Sequence, residues 1–320
     1  MFVRTSSAWM AAFSVAYIAL GGCALAPSKP TPADIPQWDI AYVAVADGEF
    51  DVWRTRGAVA THENLTQVRG LDYAPRWSSG ASALAFYSAR DGNDNVFLMS
   101  ADGSNLRQLT ADRTREYAPA ISPDGSRIAF VSNRDGNNEI YVARIDGSSP
   151  ERITTNGVHD EAPTWSPDGR QLAYSSMYDG DGDIWVADIA TRTSRRLIRK
   201  SGFDTSPDWS PDGATIAFQG VASDSVGLFI VATDGAALRR VPPGSADERH
   251  PRWSPDGGWL LFTASRGSGN AADSDVWCER VDGSRRIPLV AGPGRQEMGT
   301  WLTPPPADRP PNVRGPSGGR

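Results

Sequence analysis

Acidic residues recur along this chain at a step of 44 residues, and an amide holds the last place of the series. The series consists of Asp72, Glu116, Asp160, Asp204, Glu248 and Gln296. Carboxylates that converge on one rim create a negative potential, which steers a basic ligand toward that rim. Alternatively, each carboxylate caps its own turn by accepting backbone N–H bonds. The two interpretations are compatible, and both depend on where the fold places these residues.

A second acidic segment suggests different chemistry. Residues 179–183 read Asp-Gly-Asp-Gly-Asp, and alternating carboxylates of this kind can wrap a calcium ion. The segment also takes the place that Arg-Asp-Gly-Asn-x-Glu holds at residues 134–139, which indicates an ordinary turn assisted by glycine. We favour the turn.

The elements that position these residues are copies of one repeat. Ala-Pro-x-Trp-Ser-Pro-Asp-Gly around Trp165 returns around Trp209 and Trp253, and weaker copies lie at Trp77 and Ile121. Apolar triplets such as Ile-Ala-Phe keep the same 44-residue step. A period in the forties with four short apolar runs per unit is typical of a β-propeller blade. The sequence therefore predicts an all-β propeller with four-stranded blades.

The count of copies predicts six blades in residues 38–302. Five complete copies begin near Tyr73, Tyr117, Glu161, Thr205 and Arg249. Residues 40–66 supply three strands of a sixth blade, and residues 299–302 supply its inner strand. Closure of the ring in this way removes the open sheet edges that an incomplete arc would expose.

In such a propeller the acidic series begins the innermost strands, so we expect it to ring one mouth of the central tunnel. The longer connections lie at that mouth, including residues 265–275 of blade five, a loop four residues longer than its equivalents. Longer loops on a rigid scaffold commonly carry binding sites. The opposite mouth has only tight Pro-Asp-Gly and Asp-Gly turns.

The N-terminus predicts export and lipidation. Arg4 precedes an apolar run at residues 8–20 that is too short to span a bilayer, so residues 1–22 are typical of a signal peptide. Leu-Gly-Gly-Cys at residues 20–23 resembles a lipobox, which implies a lipid on Cys23. Ala24 then indicates the outer membrane, and several acyl chains, at about 0.8 kcal/mol per buried methylene, give a stable anchor. An ordinary secretory signal is the alternative.

Proline-rich segments flank the predicted domain. Residues 23–37 are predicted to form a semi-extended tether, and residues 303–320 a disordered tail. Removal of Arg4 with the signal peptide leaves 31 basic against 38 acidic residues, a net charge near −7 that argues against a nucleic-acid partner. Cys278, the other cysteine, is predicted to be a small core residue.

The combination of Ala-Pro-x-Trp-Ser-Pro-Asp-Gly, Ile-Ala-Phe and Arg-Asp-Gly-Asn-x-Glu-Ile-Tyr (134–141) resembles the WD40-like repeats of the TolB propeller family. The resemblance covers residues 38–302. TolB is a soluble periplasmic protein of the Tol-Pal envelope system, with an α/β domain ahead of six blades. This chain differs, because it carries a lipidation signal in place of that domain. Similar blades also occur in front of serine-peptidase domains and in oligogalacturonate lyases.

No catalytic constellation is evident. A peptidase needs a hydrolase domain with Gly-x-Ser-x-Gly, for which the chain has no room. His62 falls near an outer strand, while His159 and His250 fall in connections to separate blades, so we expect neither a metal centre nor another cofactor.

The sequence therefore predicts a non-catalytic propeller on the periplasmic face of the outer membrane, anchored by lipid. Its acidic tunnel mouth would bind a periplasmic or outer-membrane protein or peptide. The alternative is a lyase or hydrolase that acts on polyuronide glycans at the same mouth. A scaffold with no ligand in the tunnel is a third possibility.

Overall fold

The computed structural model describes residues 39–46, 48–56, 61–222, 225–244, 247–265 and 273–302. The regular secondary structure in these ranges consists of β-strands, which form six four-stranded sheets. The predicted signal peptide, Cys23, the tether, the C-terminal tail and most of the 265–275 loop lie outside the described residues.

Within the described ranges, no helix is long and apolar enough to cross a membrane.

The strands follow the repeat. Before the first complete blade come β1 (Ile40–Ala46), β2 (Glu49–Thr55) and β3 (His62–Asn64). Blade one contains β4 (Asp72–Ser78), β5 (Ala83–Ser88), β6 (Asn95–Met99) and β7 (Arg107–Gln108). Blade two contains β8 (Glu116–Ile121), β9 (Arg127–Ser132), β10 (Glu139–Arg144) and β11 (Glu151–Arg152). Blade three contains β12 (Asp160–Trp165), β13 (Gln171–Ser176), β14 (Asp183–Asp188) and β15 (Ser194–Arg196).

The remaining blades continue the series. Blade four contains β16 (Thr205–Trp209), β17 (Thr215–Ala222), β18 (Ser225–Ala232) and β19 (Arg239–Arg240). Blade five contains β20 (Glu248–Trp253), β21 (Trp259–Ser265), β22 (Ser274–Arg280) and β23 (Arg286–Val290). The last strand is β24 (Gln296–Trp301), and neighbouring inner strands contact one another around a closed ring.

The sixth blade joins the two ends of the described chain, as predicted. Its strand order is β24-β1-β2-β3, and β24 pairs antiparallel with β1 so that Trp301 lies opposite Ile40. The prediction of a six-bladed propeller closed in this way is confirmed.

Each inner strand carries a bulge at its third residue or the equivalent position. The residues at this position have φ between 48° and 56°: Ala74, Ala118, Ala162, Ser206, His250 and Met298. The pairing register with the second strand shifts at the same place, for example between Tyr73 and Arg76. A bulge re-aims the side chains around it. Because positive φ strains β-branched side chains, the small residues that dominate this position suit it.

The hydrophobic core lies between adjacent blades. The aromatic residues of the second strands are almost fully buried: Tyr42, Phe86, Phe130, Tyr174, Phe218 and Phe262. In one cluster, Trp165 and Leu172 of blade three pack with Ile140 and Val142 of blade two. Since each cluster needs two neighbouring blades, the ring depends on its closure.

Candidate functional site

The acidic series begins the inner strands, and its side chains are buried. Exposed fractions are 0% for Asp72, Glu116, Asp160 and Asp204, 1% for Glu248 and 8% for Gln296. We call these six positions the strand-start ring.

In four blades a cation compensates the buried carboxylate. The pairs are Asp72–Arg90, Glu116–Arg134, Asp204–Lys200 and Glu248–Arg286. Arg90 Nη2 donates to both carboxylate oxygens of Asp72, at 3.0 and 3.1 Å. The same guanidinium lies 4.7 Å from the ring centroid of Phe97 on the third strand, a cation–π contact. Blade one thus encloses an ion pair whose guanidinium packs on an aromatic ring of the same blade.

Blade three departs from this pattern. Tyr178 occupies the position that follows Arg90 and Arg134 at 44-residue steps, and its ring lies 5.4 Å from that of Trp185. In the described part of the chain no cation pairs with Asp160, which accepts a hydrogen bond from Asn156 Nδ2 at 2.6 Å. Burial raises the pKa of Asp160 to about 6, although hydroxyl and amide donors oppose the shift.

These positions lie at the starts of the inner strands, as expected, but their side chains are buried and do not form an exposed acidic rim. Each carboxylate finds partners inside the propeller, and pairing there removes it from solvent. Burial favours a structural role. The expected backbone N–H cap is present at Glu248, which accepts a hydrogen bond from Gly244 N at 2.8 Å, whereas Asp72 and Asp160 accept hydrogen bonds from side chains. Partner binding by these six residues stays a prediction.

Aromatic side chains line the mouth where the inner strands begin. Successive ring centroids are 5.7, 5.9 and 6.0 Å apart in a ladder of T-shaped contacts formed by Phe50, Tyr73, Tyr87 and Tyr117. The hydroxyl of Tyr117 donates to Glu161 Oε1 at 3.1 Å, and that of Tyr73 donates to Glu297. We call this end of the tunnel the loop-bearing mouth. The partly buried tyrosines combine an apolar body with a polar tip.

Three large apolar side chains are exposed on loops at the same mouth. Met177, Tyr178 and Phe203 are 37%, 57% and 42% exposed. The loops adjoin, because Asp204 N donates to Gly182 O at 2.7 Å and a Cβ on Gly182 would meet the ring of Phe203 at 2.7 Å. These three residues were not among those predicted from the sequence to bind a partner. The replacement of arginine by Tyr178 in the repeat was the available signal.

An ion pair crosses the middle of the tunnel. Arg76 of blade one reaches Asp208 of blade four, directly opposite in the ring, with Nη1 3.0 Å from Oδ1. Asp208 Oδ2 also accepts a hydrogen bond from Trp253 N at 2.8 Å. The pair separates the two mouths.

The Ser-Pro-Asp-Gly turns surround the opposite end, which we call the turn-bearing mouth. Their carboxylates, the turn ring, belong to Asp124, Asp168, Asp212 and Asp256. Asp124 accepts hydrogen bonds from the Ser122 and Ser126 hydroxyls and from Ser126 N, and these bonds lower its pKa to about 2. Equivalent bonds lower the pKa of Asp168 and Asp212.

A cavity of about 270 Å³ opens at the turn-bearing mouth. Its walls include the indoles of Trp77, Trp165, Trp209, Trp253 and Trp301. Its charged lining residues are Arg76, Asp208 and Arg252.

The histidines do not converge. His62 lies in outer strand β3 and His159 lies on the surface before β12. His250 was expected in a connection but lies in inner strand β20, and its pKa falls to about 3 because of burial and nearby arginines. Among the described residues, no group of three or more His, Cys, Asp or Glu side chains is placed to hold a metal ion.

The remaining candidates have structural roles. Asp179 pairs with Arg196 at 2.5 Å and with Arg199 at 3.0 Å, and Asp183 pairs with Arg196 as well. The Cys278 thiol is buried, which raises its pKa to about 12.

Six blades around a tunnel that an ion pair crosses, with loops at one mouth and tight turns at the other, define a β-propeller built from one repeat. A model of the TolB beta propeller domain matches residues 31–161 and 158–285. The chain therefore belongs to the TolB β-propeller family. No curated protein sequence matches it.

Solved structures show the same fold. TolB from Acinetobacter baumannii aligns with a TM-score of 0.73 at 23% identity, over 82% of this chain and 66% of that one. This chain thus spans just under two thirds of that TolB. A protein from Agrobacterium tumefaciens assigned to TolB aligns with a TM-score of 0.66 at 21% identity, over 83% of this chain and 98% of the other. An oligogalacturonate lyase in complex with manganese aligns with a TM-score of 0.57 at 12% identity, over 80% and 74%.

Proposed function

We propose that this protein is a non-catalytic propeller of the bacterial periplasm that binds a protein or peptide partner at its loop-bearing mouth, possessing a lipid anchor in the outer membrane. The observation that carries the proposal is the exposure of Met177, Tyr178 and Phe203 on adjoining loops at this mouth. Membership of the TolB family supports a protein partner and a periplasmic location. A Tol-Pal-like envelope system is the setting that the family suggests.

The chemistry of this surface suits a protein interface. Tyrosine, phenylalanine and methionine are enriched in protein interfaces relative to other surface. Tyrosine supplies a large contact area at little cost in conformational entropy. Tyr178 is 57% exposed although the equivalent residues Arg90 and Arg134 fold down onto their own blades. Blade three thus presents an aromatic ring where the blades before it close an ion pair.

The strand-start ring contributes to this proposal from beneath the surface. Asp204 pairs with Lys200 and lies next to Phe203, so the ion pair holds the loop that carries the exposed ring. We propose that the buried carboxylates act on partner binding by fixing such loops.

The test is a comparison of two double variants. The full chain serves as bait with detergent-solubilised outer membranes, and the dissociation constant of the recovered partner is then measured with purified components. Tyr178→Ala with Phe203→Ala removes two exposed rings, and we expect binding about tenfold weaker or more, as for interface anchors.

Leu106→Ala with Leu238→Ala is the matched control, because Leu106 and Leu238 are 43% and 42% exposed near the opposite face. This control is expected to keep parental affinity. Equal affinity of both double variants would remove the loop-bearing mouth from the proposal.

The anchor is tested separately. Cys23→Ala is expected to leave the propeller folded and to move it from the membrane fraction to the soluble fraction, since acyl chains on Cys23 provide the attachment. Cys278→Ala, which alters the other cysteine, is expected to remain in the membrane fraction. Membrane retention of Cys23→Ala, without labelling of the parent by palmitate, would refute the anchor.

The glycan-acting alternative has one supporting observation, the shared fold with the manganese-bound oligogalacturonate lyase, and at 12% identity that likeness concerns the fold alone. Turnover of polyuronides by the purified protein, with and without added manganese, distinguishes the alternative. Measurable turnover would replace the binding function with an enzymatic one.

A further inference from the structure

The turn-bearing mouth contains a cavity that has no part in the proposed function. The tryptophans of successive blades form its walls, and Arg252 lies among them on inner strand β20. The cavity, at about 270 Å³, has room for a group the size of one amino-acid residue.

The charges in this cavity do not balance. Asp208 is its sole carboxylate among the described lining residues, and Arg76 already occupies one of its oxygens at 3.0 Å. The other oxygen accepts the backbone N–H of Trp253 at 2.8 Å. Two guanidinium groups therefore share the neighbourhood of one engaged carboxylate, which leaves a net positive charge.

Arg252 is the uncompensated group. Its Nη1 donates to the carbonyl oxygen of Pro251 at 2.7 Å, and no described carboxylate forms an ion pair with it. Burial and the charge of Arg76 lower the pKa of Arg252 to about 9, and Asp208 opposes this shift only in part. A guanidinium in such surroundings gains strongly from a carboxylate, which it can bind through two parallel N–H···O bonds.

The tryptophans that line the cavity differ in the hydrogen bonds of their indole N–H groups. In Trp165 and Trp301 the indole Nε1–H donates to a carbonyl of the preceding blade, at 2.8 and 3.2 Å. The Nε1–H groups of Trp209 and Trp253 are buried, and within the described ranges they have no acceptor. Trp209 is only 8% exposed. The unused donors thus belong to blades four and five, which also carry Asp208 and Arg252.

We propose that the turn-bearing mouth binds a peptide segment that places a carboxylate on Arg252, with a basic group beside that carboxylate. The basic group is required by the turn ring, whose four aspartates surround the same mouth. Asp124, Asp168 and Asp212 stay ionised to low pH, because hydrogen bonds lower the pKa of each. A ligand with negative charge alone meets repulsion at this rim, whereas a ligand carrying both charges matches the rim and the interior.

The probe is N-acetyl-arginine, which has one free carboxylate and one guanidinium. N-acetyl-arginine is titrated into the full-length protein at low ionic strength, and tryptophan fluorescence is measured because tryptophans line the cavity. N-acetyl-argininamide lacks the carboxylate and N-acetyl-glycine lacks the cation, and we expect each to bind at least about tenfold more weakly, because each loses a charge-assisted contact.

Arg252→Met is expected to abolish the response, and Arg252→Lys, which keeps the charge, to weaken it about severalfold. Arg170→Gln removes an exposed arginine from a turn at the same face and is expected to bind like the parent. A parental response in Arg252→Lys and Arg252→Met, or equal binding of the acid and its amide, would overturn the proposal.

This site is independent of the loop-bearing mouth. Tyr178→Ala with Phe203→Ala is expected to leave N-acetyl-arginine binding unchanged. Failure of one site in its test therefore leaves the other standing.

Discussion

The strand-start ring and the turn ring contain the same kind of side chain, repeated at the same 44-residue step, at opposite ends of the inner strands. Carboxylates of the first ring are buried, and burial raises the pKa of Glu116, Asp160 and Asp204. Carboxylates of the second ring lie in tight turns, where hydrogen bonds from hydroxyl and backbone N–H groups lower the pKa of Asp124 and Asp168.

A repeated position in the sequence therefore does not reveal the environment of the charge that occupies it. A turn aspartate takes its partners from the next few residues, such as Ser166 Oγ and Arg170 N for Asp168. In four blades the buried carboxylate instead depends on a cation that approaches from another strand or loop. The two rings should therefore respond differently to substitution, and to pH with opposite sign.

The largest effect is expected where the strand-start ring has its neutral member. A chain that ends at Arg295 loses Gln296 together with the whole of β24, which leaves β1 with an unpaired edge and exposes the faces of two neighbouring blades. We expect this chain to lose the cooperative transition of urea unfolding, as monitored by circular dichroism.

A chain that ends at Leu302 retains β24 and is the control, with a transition like that of the parent. Parental melting of both truncated chains would show that blade six does not need its C-terminal strand.

Removal of a cation from the strand-start ring ranks next. Arg90→Met leaves the carboxylate of Asp72 buried without its ion pair, and breaking a buried pair on one side costs about 3–5 kcal/mol. Urea unfolding at neutral pH measures the change in free energy. Asp72→Asn in the same chain should recover most of the loss, because it removes the uncompensated charge.

Arg170→Met, at an exposed turn position, should change the free energy of unfolding by less than about 0.5 kcal/mol. Losses of equal size at Arg90 and Arg170 would contradict the role of the buried pair.

The pH dependence of blade three is the third test. Asp160 titrates near 6 in the folded chain and near 3.9 when unfolded, so the folded state binds its proton more tightly. Its contribution to stability is therefore full below about pH 4 and is lost as the pH rises through about 6. Relative to Asp160→Asn, the free energy of unfolding of the parent should increase by about 1–3 kcal/mol when the pH is lowered from about 7 to about 4.

Tyr178→Arg sharpens this test, because it returns a cation to the place that Arg90 and Arg134 hold in blades one and two. The added cation should stabilise ionised Asp160 and shrink its pH dependence. A pH profile that Asp160→Asn leaves unchanged would show that this carboxylate is not the titrating group.

The smallest effect is expected in the turn ring. Asp168→Ala removes hydrogen bonds to Ser166 Oγ and Arg170 N at the surface, a loss of about 1 kcal/mol or less. Because the folded pKa of Asp168 is lowered, its contribution is present above about pH 4 and is lost as the pH falls below that. Thermal melting from pH 7 to pH 3 measures both the size and the sign.

Much of the fold could be predicted because the repeat encodes it locally. The Ser-Pro-Asp-Gly turns and the apolar second strands fixed six blades and the closing strand β24. The environment of the strand-start ring could not be predicted, because the compensating cations do not occupy the same position in each repeat. Arg134 follows Arg90 by 44 residues, whereas Lys200 and Arg286 reach their carboxylates from a connection and an outer strand.

The site proposed at the turn-bearing mouth also could not be predicted from the sequence. It depends on Arg76 and Asp208, which are 132 residues apart and meet only because blades one and four face each other. The spacing of Arg76 and Asp208 in the sequence does not indicate that they form an ion pair. It also does not indicate that Arg252 has no ion pair with a described carboxylate.

The ion pair between Arg76 and Asp208 divides the interior of the ring. The cavity lined by Arg76 and Asp208 is distinct from the cavity lined by Tyr73 and His250, so a segment held in one does not have to be withdrawn before the other is filled. Two different molecules can occupy the protein at once, and neither needs to thread past the other. If the proposed lipid anchor is present, this geometry would allow one partner to be retained at the membrane while a second is exchanged.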